Sequence, residues 1–307
     1  MLIQLENGSY IDGSAIFSAI IRSSLVPIPY TLEATIRIDE SIAPFLQEGK
    51  ELLVGPYQIP VTINYVRDNI SDVYQGGMVQ LRQIIALHSN TIAISYVANK
   101  GIFLEKTSLS KIYKACGAKA TIEKDFVVNK FYLYKGKYPS HQIQEICQEH
   151  SGVVHIVPET NTIEFARIYD LSNQEPKMGI GDRILSDHTQ RSEFLERHEV
   201  PSYVSCANDG SAIRGNFDKK RNVVFVPEKT QAELNAMTDV LINAKVLPSR
   251  YAPEINAGDV IQTGGCKFVI ITAAHSFMQA AGTGGSGEES CSRFWLGVRN
   301  PGEGSNE

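Results

Sequence analysis

The chain has 307 residues and a formal net charge of -5 at neutral pH, and 43% of its residues are hydrophobic while 21% are charged. This length exceeds what one hydrophobic core usually serves, so two or three packed units are expected. The balanced composition argues against a disordered, collagen-like or coiled-coil chain. The net negative charge provides no general attraction to phosphate, so specific nucleic-acid binding is not expected.

Neither a targeting signal nor a membrane anchor is expected from the sequence. Residues 1–6 carry no basic segment ahead of an apolar run, and the longest apolar stretch, residues 268–274, is far shorter than the roughly 20 residues that span a bilayer. Five cysteines are an odd number without a C-x-x-C pair, which is unlike a disulfide framework or a zinc site. We predict reduced, mostly buried thiols at Cys116, Cys147, Cys206, Cys266 and Cys291.

The first hundred residues carry strand signals. Residues 30–38 alternate between apolar and polar side chains, which predicts a half-buried strand. Further strands, bounded by Gly, Pro and Asn turns, are predicted at residues 51–54, 60–66, 78–87 and 91–97. Short strands separated by regular turns are typical of small antiparallel barrels, so residues 1–104 are predicted to form a first β-barrel domain.

Residues 105–170 change to a helical period and are predicted to form an inserted α+β domain. Ser108 precedes apolar residues at i, i+3, i+4 and i+7, and Gly117 follows them, so a short helix is expected. A second helix is predicted from Pro139, with Gly152 as its stop. The remaining elements are predicted strands at residues 121–128 and 130–134 and a hairpin of residues 153–157 and 162–168.

The rest of the chain is predicted to be a linker followed by a second barrel. Residues 171–200 are polar and turn-rich, which favours a linker or an extended loop. Residues 201–300 are predicted to form a second β-barrel domain with one helix at residues 231–244, ahead of which Thr230 and Glu233 make a capping box. Its predicted strands are residues 203–207, 212–216, 223–226, 259–262, 266–277 and 294–298, with a Gly/Ser loop at 282–287 and a frayed tail at 301–307.

One segment of the first barrel is echoed in the second. Gly49 leads into a short strand, a turn at Gly55 and a longer strand. Gly258 leads into a short strand, a turn at residues 264–265 and a longer strand. The two segments are interpreted as equivalent corners of two similar barrels, although a glycine-flanked hairpin has the same appearance.

No catalytic, cofactor-binding or metal site is predicted. The glycine pairs lack the strand–turn–helix context and the lysine of a phosphate-binding loop, and the histidines lack metal-ligand spacing. The local candidates for a thiolate pair are Cys147 with His141, His150 or His155. Because Cys147 falls on the apolar stripe of its helix, a core role is the preferred interpretation.

Two other sets of polar residues have a structural interpretation. His275 is predicted to be a strand residue satisfied by a local hydrogen bond. A carboxylate pair for glycoside hydrolysis has to be held at a fixed separation by rigid elements. The acidic residues of the linker are instead predicted to be solvated: Asp182, Asp187, Glu193, Glu196 and Glu199.

Three sets of motifs carry a resemblance to a known family. The first set is SLSKI at 108–112, FYLY at 131–134, IQEIC at 143–147, VVHI at 153–156 and IEF at 163–165. The second is IRI at 36–38, LVG at 53–55 and INYVR at 63–67, and the third is AGDVI at 257–261 and IITAAHSF at 270–277. The chain resembles the central hub proteins of bacteriophage tail baseplates, a family with T4-type hubs, P2-like late-control hubs and the N-terminal part of type VI secretion spike proteins.

The resemblance implies an α+β, mostly β fold with two similar small antiparallel β-barrels and an inserted helix–strand–helix–hairpin unit. It implies a structural virion protein, assembled in the host cytoplasm, that adapts a sixfold tail tube to a threefold central spike in the baseplate during DNA ejection. The implied partners are two further copies in a homotrimer, a tail tube or distal tail protein, a trimeric spike protein, and tape measure and wedge proteins. No enzymatic activity and no cofactor are implied.

Two other functions stay open at the level of sequence. One is a cell-wall-degrading tail enzyme that uses Cys147 with a histidine, or the linker carboxylates. The other is a receptor-binding or carbohydrate-binding β-domain of a tail fibre. Such binding modules favour exposed aromatic platforms, whereas the one tryptophan, Trp295, falls within an alternating strand where a core position is expected.

Overall fold

The computed structural model describes residues 2–74, 77–179, 186–187, 200–263, 265–279 and 288–300. Six strands come first in the chain: β1 (Ile3–Leu5), β2 (Ile16–Ser24), β3 (Tyr30–Arg37), β4 (Glu51–Val54), β5 (Ile59–Tyr74) and β6 (Gly77–His88). The alternation seen in the sequence of β3 is realised as alternating burial along the strand. The apolar faces of these strands enclose one core.

The middle of the chain has the order of elements expected for the inserted unit. It comprises β7 (Ile102–Ser108), α1 (Leu109–Ala115), β8 (Ile122–Glu123), β9 (Val127–Leu133), α2 (Pro139–Glu149), β10 (Gly152–Val157), β11 (Thr162–Arg167) and α3 (Ile168–Ser172). The Ser108 hydroxyl caps α1 by accepting from the N–H of Lys111, and Gly117 has φ 91° just after the helix. The helices α1 and α2 pack with β9 and the β10–β11 hairpin around a second core.

The last strands are β12 (Met178–Gly179), β13 (Ser186–Asp187), β14 (Ser202–Cys206), β15 (Ala212–Arg214), β16 (Val223–Phe225), β17 (Val240–Arg250), β18 (Val260–Thr263), β19 (Cys266–Gln279) and β20 (Glu288–Asn300). The helix α4 (Gln231–Ala236) precedes β17. Strands β14–β16 form a small separate sheet, which packs with α4 around a few apolar residues. The predicted strands at 203–207, 212–216 and 223–226 therefore lie apart from the sheet of β17–β20.

One twelve-stranded, mainly antiparallel sheet joins the two ends of the chain. Its order is β1-β4-β5-β6-β3-β2-β19-β20-β17-β13, with β18 on β19 and β12 on β18. The connection is made by β2 and β19, which pair along seven residues of each strand. The chain has three segments: the first strands β1–β6, the inserted unit, and the strands that follow it. A further core lies where these three segments meet, and it includes Leu25, Val153, Leu171 and Val269. The strands β1–β6 and β17–β20 are thus parts of one sheet.

Three predicted elements differ from the observed ones. The strand at 91–97 is wrong, because residues Ile92–Ser95 form a 3₁₀ turn that is closed by a hydrogen bond from the Ser95 hydroxyl to the Ile92 carbonyl at 2.7 Å. The strand at 121–128 reduces to the two residues of β8, which pair in parallel with β11. Residues 171–200 include the end of α3 and the short strands β12 and β13, which join the large sheet.

The helix predicted at 231–244 ends much earlier. Its capping box is present as predicted, with Thr230 and Glu233 bonded in both directions, but the helix stops at Ala236. Asp239 then accepts two hydrogen bonds from Arg299, at 2.8 and 3.0 Å, and the chain continues as β17 against β20. Pairing with β20 outweighs the helical spacing of the apolar residues, because tertiary context overrides local propensity.

Some predictions fall outside the described residues, among them the Gly/Ser loop at 282–287 and the frayed tail at 301–307. The division of the chain into domains at 1–104, 105–170, 171–200 and 201–300 stays a prediction. Within the described part of the chain, no helix has the length and apolar character needed to cross a membrane.

Candidate functional site

Cys147, the nucleophile considered from the sequence, lies inside the core of the inserted unit. Its side chain is completely buried, and burial raises the pKa of Cys147 to about 12. The thiolate that a nucleophilic mechanism requires is therefore strongly disfavoured. The three histidines considered as its base contact other groups: His141 packs on Tyr138, His150 lies edge-on to Phe126, and His155 bonds the Ile156 carbonyl.

The other polar candidates have structural positions or lie outside the description. His275 is a buried residue of β19 as predicted, but its hydrogen-bond partners are not local: Nδ1 lies 2.9 Å from the Ser292 hydroxyl and Nε2 lies 3.0 Å from the Ile255 carbonyl oxygen. Asp187 belongs to β13. The remaining linker carboxylates lie outside the described residues: Asp182, Glu193, Glu196 and Glu199. Among the described residues, no group of three or more His, Cys, Asp or Glu side chains could hold a metal ion.

The prediction that the cysteines are mostly buried is wrong. All five are free thiols, but only Cys147 is fully buried, Cys116 is half-buried, and the other three are exposed. Cys206 and Cys266 lie at strand ends, where one side of the chain faces solvent. Trp295 is half-buried rather than a core residue.

A groove of about 510 Å³ lies between the inserted unit and the segment that begins α4. It contains a shielded ion pair, in which Lys229 Nζ lies 2.7 Å from Glu149 Oε1 and the two side chains are 18% and 9% exposed. Burial raises the pKa of Glu149, and Lys229 opposes that shift. Gln148 adds hydrogen bonds to the Tyr203 hydroxyl and the Met237 carbonyl, at 3.2 and 3.0 Å. These contacts fix the small sheet on α2.

Two glycine corners have the same hydrogen bonds. The N–H of Gly49 donates to the carbonyl of Ile63 at 2.8 Å, and the N–H of Ile63 donates to the carbonyl of Lys50 at 2.9 Å. The N–H of Gly258 donates to the carbonyl of Ile270 at 2.9 Å, and the N–H of Ile270 donates to the carbonyl of Asp259 at 2.9 Å. Both glycines have positive φ angles, 85° and 97°, which glycine adopts most readily.

The strands that follow these corners also correspond. The strand β4 makes four pairs with β5, and β18 makes four pairs with β19. The register of β5 on β6 shifts between Ile63 and Tyr65, and that of β19 on β20 shifts between Ile270 and Thr272. Each longer strand therefore has a bulge directly after the isoleucine that pairs with the glycine corner.

The strand order extends this correspondence to five strands. We call β4, β5, β6, β3 and β2 the first repeat, and β18, β19, β20, β17 and β13 the second repeat, in the order in which neighbours pair. The echo between Gly49 and Gly258 is thus realised as a repeated arrangement of strands. Because β2 of the first repeat pairs with β19 of the second, the two repeats are joined edge to edge within one sheet.

An exposed aromatic cluster on the β7–β9 ribbon was missed in the sequence. The ring of Phe103 lies 5.9 Å from that of Tyr132 and 5.7 Å from that of Tyr134, and the three side chains are 57%, 36% and 63% exposed. Alternation along residues 130–134 gave a signal, because the buried Phe131 and Leu133 leave the two tyrosines on the opposite face. Aromatic residues on an outer face are typical of interaction surfaces.

Comparisons with known proteins place the fold. No family model matches the chain, and no curated protein matches its sequence. A tail protein from Neisseria meningitidis MC58 superposes with a TM-score of 0.63 at 10% identity, covering 97% of this chain and 95% of that one. The 43 kDa tail protein of prophage MuSo2 from Shewanella oneidensis gives 0.62 at 10% identity, covering 98% and 97%.

A third similar structure comes from a secretion system. It is an E. coli component of the type VI secretion system that shows structural similarity to bacteriophage T4 tail proteins, with a TM-score of 0.55 at 8% identity, covering 97% of this chain and 76% of that one. All three likenesses extend over nearly the whole of this chain. The chain therefore has a mostly β, α+β fold, the fold of phage tail proteins and of related type VI secretion components.

Proposed function

We propose that this chain is the central hub of a tail baseplate, a homotrimer that adapts a sixfold tail tube to a threefold spike. The observation that supports it most directly is the repeated strand arrangement, in which two equivalent five-strand sets lie side by side in one sheet. Full-length similarity to phage tail proteins supports the structural role.

The repeat gives a physical basis for matching two symmetries. Three chains, each with two equivalent strand sets, present six equivalent surfaces to a sixfold partner, while every other surface occurs three times. A closed ring of identical subunits is the usual way to satisfy such contacts. The proposed partners are two further copies, a tail tube or distal tail protein, a trimeric spike, and tape measure and wedge proteins, with assembly in the host cytoplasm and a final place in the virion tail.

The decisive measurement is the mass of the purified chain in solution. Three copies of 33.9 kDa give about 100 kDa by light scattering, and electron microscopy is expected to show a three-lobed ring with a central channel. A stable monomer at micromolar concentration would overturn the hub.

The proposed role needs no catalytic group. The burial and the raised pKa of Cys147 support a non-enzymatic protein. A cell-wall digestion assay on the native chain and on Cys147→Ser separates the alternatives, because the hub is expected to be inactive in both forms. Digestion by the native chain that is lost in the variant would establish the enzyme instead.

One observation favours a second function, receptor or carbohydrate binding. The exposed rings of Phe103, Tyr132 and Tyr134 form the kind of aromatic platform that such modules use. Glycan-array binding by the native chain, lost in Phe103→Ala with Tyr134→Ala, would support it. Loss of binding to a tail partner in the same variant, without any glycan binding, would assign the cluster to assembly.

A further inference from the structure

Charge is unevenly distributed along the chain. Residues 96–138 contain nine lysines, no arginine and three acidic residues, a net charge of +6, and every one of these lysines is exposed. The whole chain has a net charge of -5, so the other residues together carry -11. A basic segment within an acidic protein indicates a surface for a negatively charged partner.

Exposed hydrophobic side chains are concentrated in the same segment. In the described part of the chain, sixteen large hydrophobic side chains are exposed, and seven of them lie in residues 96–138. Single exposed hydrophobic residues are common on soluble proteins and need no explanation, whereas a group of them marks an interaction surface. The basic segment is therefore also the most apolar part of the described surface.

The outer face of the β7–β9 ribbon holds three of these side chains as the aromatic cluster of Phe103, Tyr132 and Tyr134. Phe103 pairs directly with Tyr132 across the two strands, and Tyr134 lies two residues further along the same face of β9. Gly101 leaves room for the Phe103 ring, because a Cβ at that glycine would lie 2.9 Å from the ring atom Cε2. The three rings thus have defined positions on a regular element.

Three lysines lie together at one end of the aromatic cluster. Lys135 directly follows the last ring of the cluster in the chain. The N–H of Ala98 donates to the carbonyl of Lys137 at 2.9 Å, and the N–H of Gly136 donates to the carbonyl of Ala98 at 2.9 Å. These hydrogen bonds hold the residues just before Lys100 against the turn that carries Lys135 and Lys137.

The charges of these three lysines are not compensated within the chain. Among the described residues, Lys100, Lys135 and Lys137 have no ion-pair partner, whereas Lys130 at the other end of the cluster lies 2.8 Å from Glu228. Uncompensated positive charge attracts an anionic partner over about 8 Å at physiological ionic strength. The end of the cluster that carries the three lysines is therefore the side where an anionic group is stabilised.

An aromatic centre bordered by charges is the usual arrangement of a protein interface. Aromatic residues are enriched at the centre of such interfaces, and charges at the rim steer the approach of the partner. The Phe103 ring makes angles of 54° with Tyr132 and 76° with Tyr134, so the rings form no parallel row on which successive bases or sugars could stack. The side chains of a peptide adapt to such tilted rings.

A short acidic segment suits this distribution of charge better than a long polyanion does. A nucleic acid or an acidic polysaccharide extends beyond the lysines and meets a chain whose other residues carry -11. Like charges repel there, and the gain at the lysines is offset. A protein partner can place its acidic side chains opposite the lysines alone.

We propose that the aromatic cluster, together with Lys100, Lys135 and Lys137, is a docking surface for an acidic segment of a partner protein. Apolar side chains of the segment contact the rings, and its Asp or Glu side chains pair with the lysines. This inference deepens the proposed function and rests on it for the presence of a protein partner. The chemistry of the surface rests on the rings and the charges.

The probe is a random peptide library, because it presupposes no partner sequence. Peptides of about 12 residues reach up to about 40 Å when extended, more than the roughly 23 Å of β9. The full-length native chain selects peptides after removal of those that also bind Phe103→Ala with Tyr134→Ala. The selected peptides are expected to contain Asp and Glu about twice as often as the input library or more, together with apolar residues.

Charge reversal locates the surface. Lys135→Glu with Lys137→Glu is expected to weaken binding of a selected peptide about tenfold or more, measured by fluorescence anisotropy. The matched control is Lys111→Glu with Lys114→Glu, which changes the net charge equally on α1, the helix that packs on the other face of the ribbon. The control is expected to change binding less than about twofold. All four lysines are exposed, and circular dichroism verifies that both variants fold.

Each other outcome has a definite meaning. Selected peptides without an excess of acidic residues, no ring-dependent peptides, or equal effects of the two double variants overturn the docking surface and leave the hub intact. Ring-dependent binding of a single-stranded oligonucleotide or of a glycan on an array, tighter than that of the peptides, overturns the protein partner. Acidic peptides selected by a chain that light scattering shows to be a monomer retain the docking surface and overturn the hub.

Discussion

Gly49 and Gly258 hold equivalent corners but have different surroundings. A Cβ on Gly49 would meet no atom within 4 Å, whereas a Cβ on Gly258 would lie 3.2 Å from Cγ of His155. Both positions have positive φ, so alanine is strained at each by about 1 to 2 kcal/mol. The matched pair therefore separates backbone strain from packing against the inserted unit.

Gly258→Ala is expected to lower the free energy of unfolding more than Gly49→Ala. The extra loss, roughly 1 to 3 kcal/mol, comes from crowding of the His155 ring. Urea unfolding of the two variants measures the difference. Equal losses would show that the ring moves aside without cost.

Buried histidines make stability depend on pH. Burial is the main cause that lowers the pKa of His88, His150, His155 and His275 from 6.5. Below about pH 6.5 the unfolded chain therefore binds more protons than the folded chain. The stability that is present above that pH is lost as the pH falls through the pKa values that the histidines have in the folded state.

The free energy of unfolding is therefore expected to fall between pH 7 and pH 5, by at most about 1.4 kcal/mol per pH unit for each histidine. His275→Gln, which replaces a ring bonded to Ser292 and the Ile255 carbonyl, is expected to reduce that slope. Denaturant titrations at several pH values test this. An unchanged slope in the variant would remove His275 from the explanation.

At the scale of elements, two ion pairs link the inserted unit to the segment before α4, and they differ in exposure. Lys229 and Glu149 are shielded, whereas Lys130 and Glu228 are 50% and 64% exposed at a similar separation of 2.8 Å. Exposed pairs contribute about 0 to 1 kcal/mol. Removing one partner of a shielded pair leaves the other charge uncompensated.

Lys229→Met is expected to lower the free energy of unfolding by roughly 2 kcal/mol or more, whereas Lys130→Met, at the exposed pair, is expected to change it little. Adding Glu149→Gln to Lys229→Met should recover part of the loss, because the buried charge is then removed. Chemical denaturation of the four proteins provides the comparison. Equal effects of the two lysine variants would mean that Glu149 is solvated when its partner is absent.

At the scale of the whole molecule, the core shared by the three segments couples their stability. Leu171 of α3 is fully buried there, with Leu25 from the first segment, Val153 from the inserted unit and Val269 from the last. A cavity in this core weakens packing against all three segments at once.

Leu171→Ala is expected to cost about 2 to 5 kcal/mol and to reduce hydrogen-exchange protection in β2, β10 and β19 together. Leu2→Ala, at a leucine that is 56% exposed, is the control and should change little. Loss of protection confined to α3 would show that the segments unfold independently.

Local chemistry made much of the fold predictable. The alternation in β3, the Ser108 cap of α1 and the capping box of Thr230 and Glu233 depend on neighbours in the chain, so the sequence predicted each of them correctly. The end of α4 was not predictable in this way, because it is set by β20 and by the Arg299–Asp239 contact. The Lys229–Glu149 pair was missed for the same reason, since its partners are far apart in sequence.

The sequence by itself determined the mostly β character, the inserted helix–strand–helix–hairpin unit, the core position of Cys147 and the echo between Gly49 and Gly258. These follow from periodicity, caps and glycine placement, which act over a few residues. Only the tertiary structure decided that the two repeats share one sheet through β2 and β19. Strand pairing joins residues that are distant in the chain, and no local pattern specifies which edge a strand will meet.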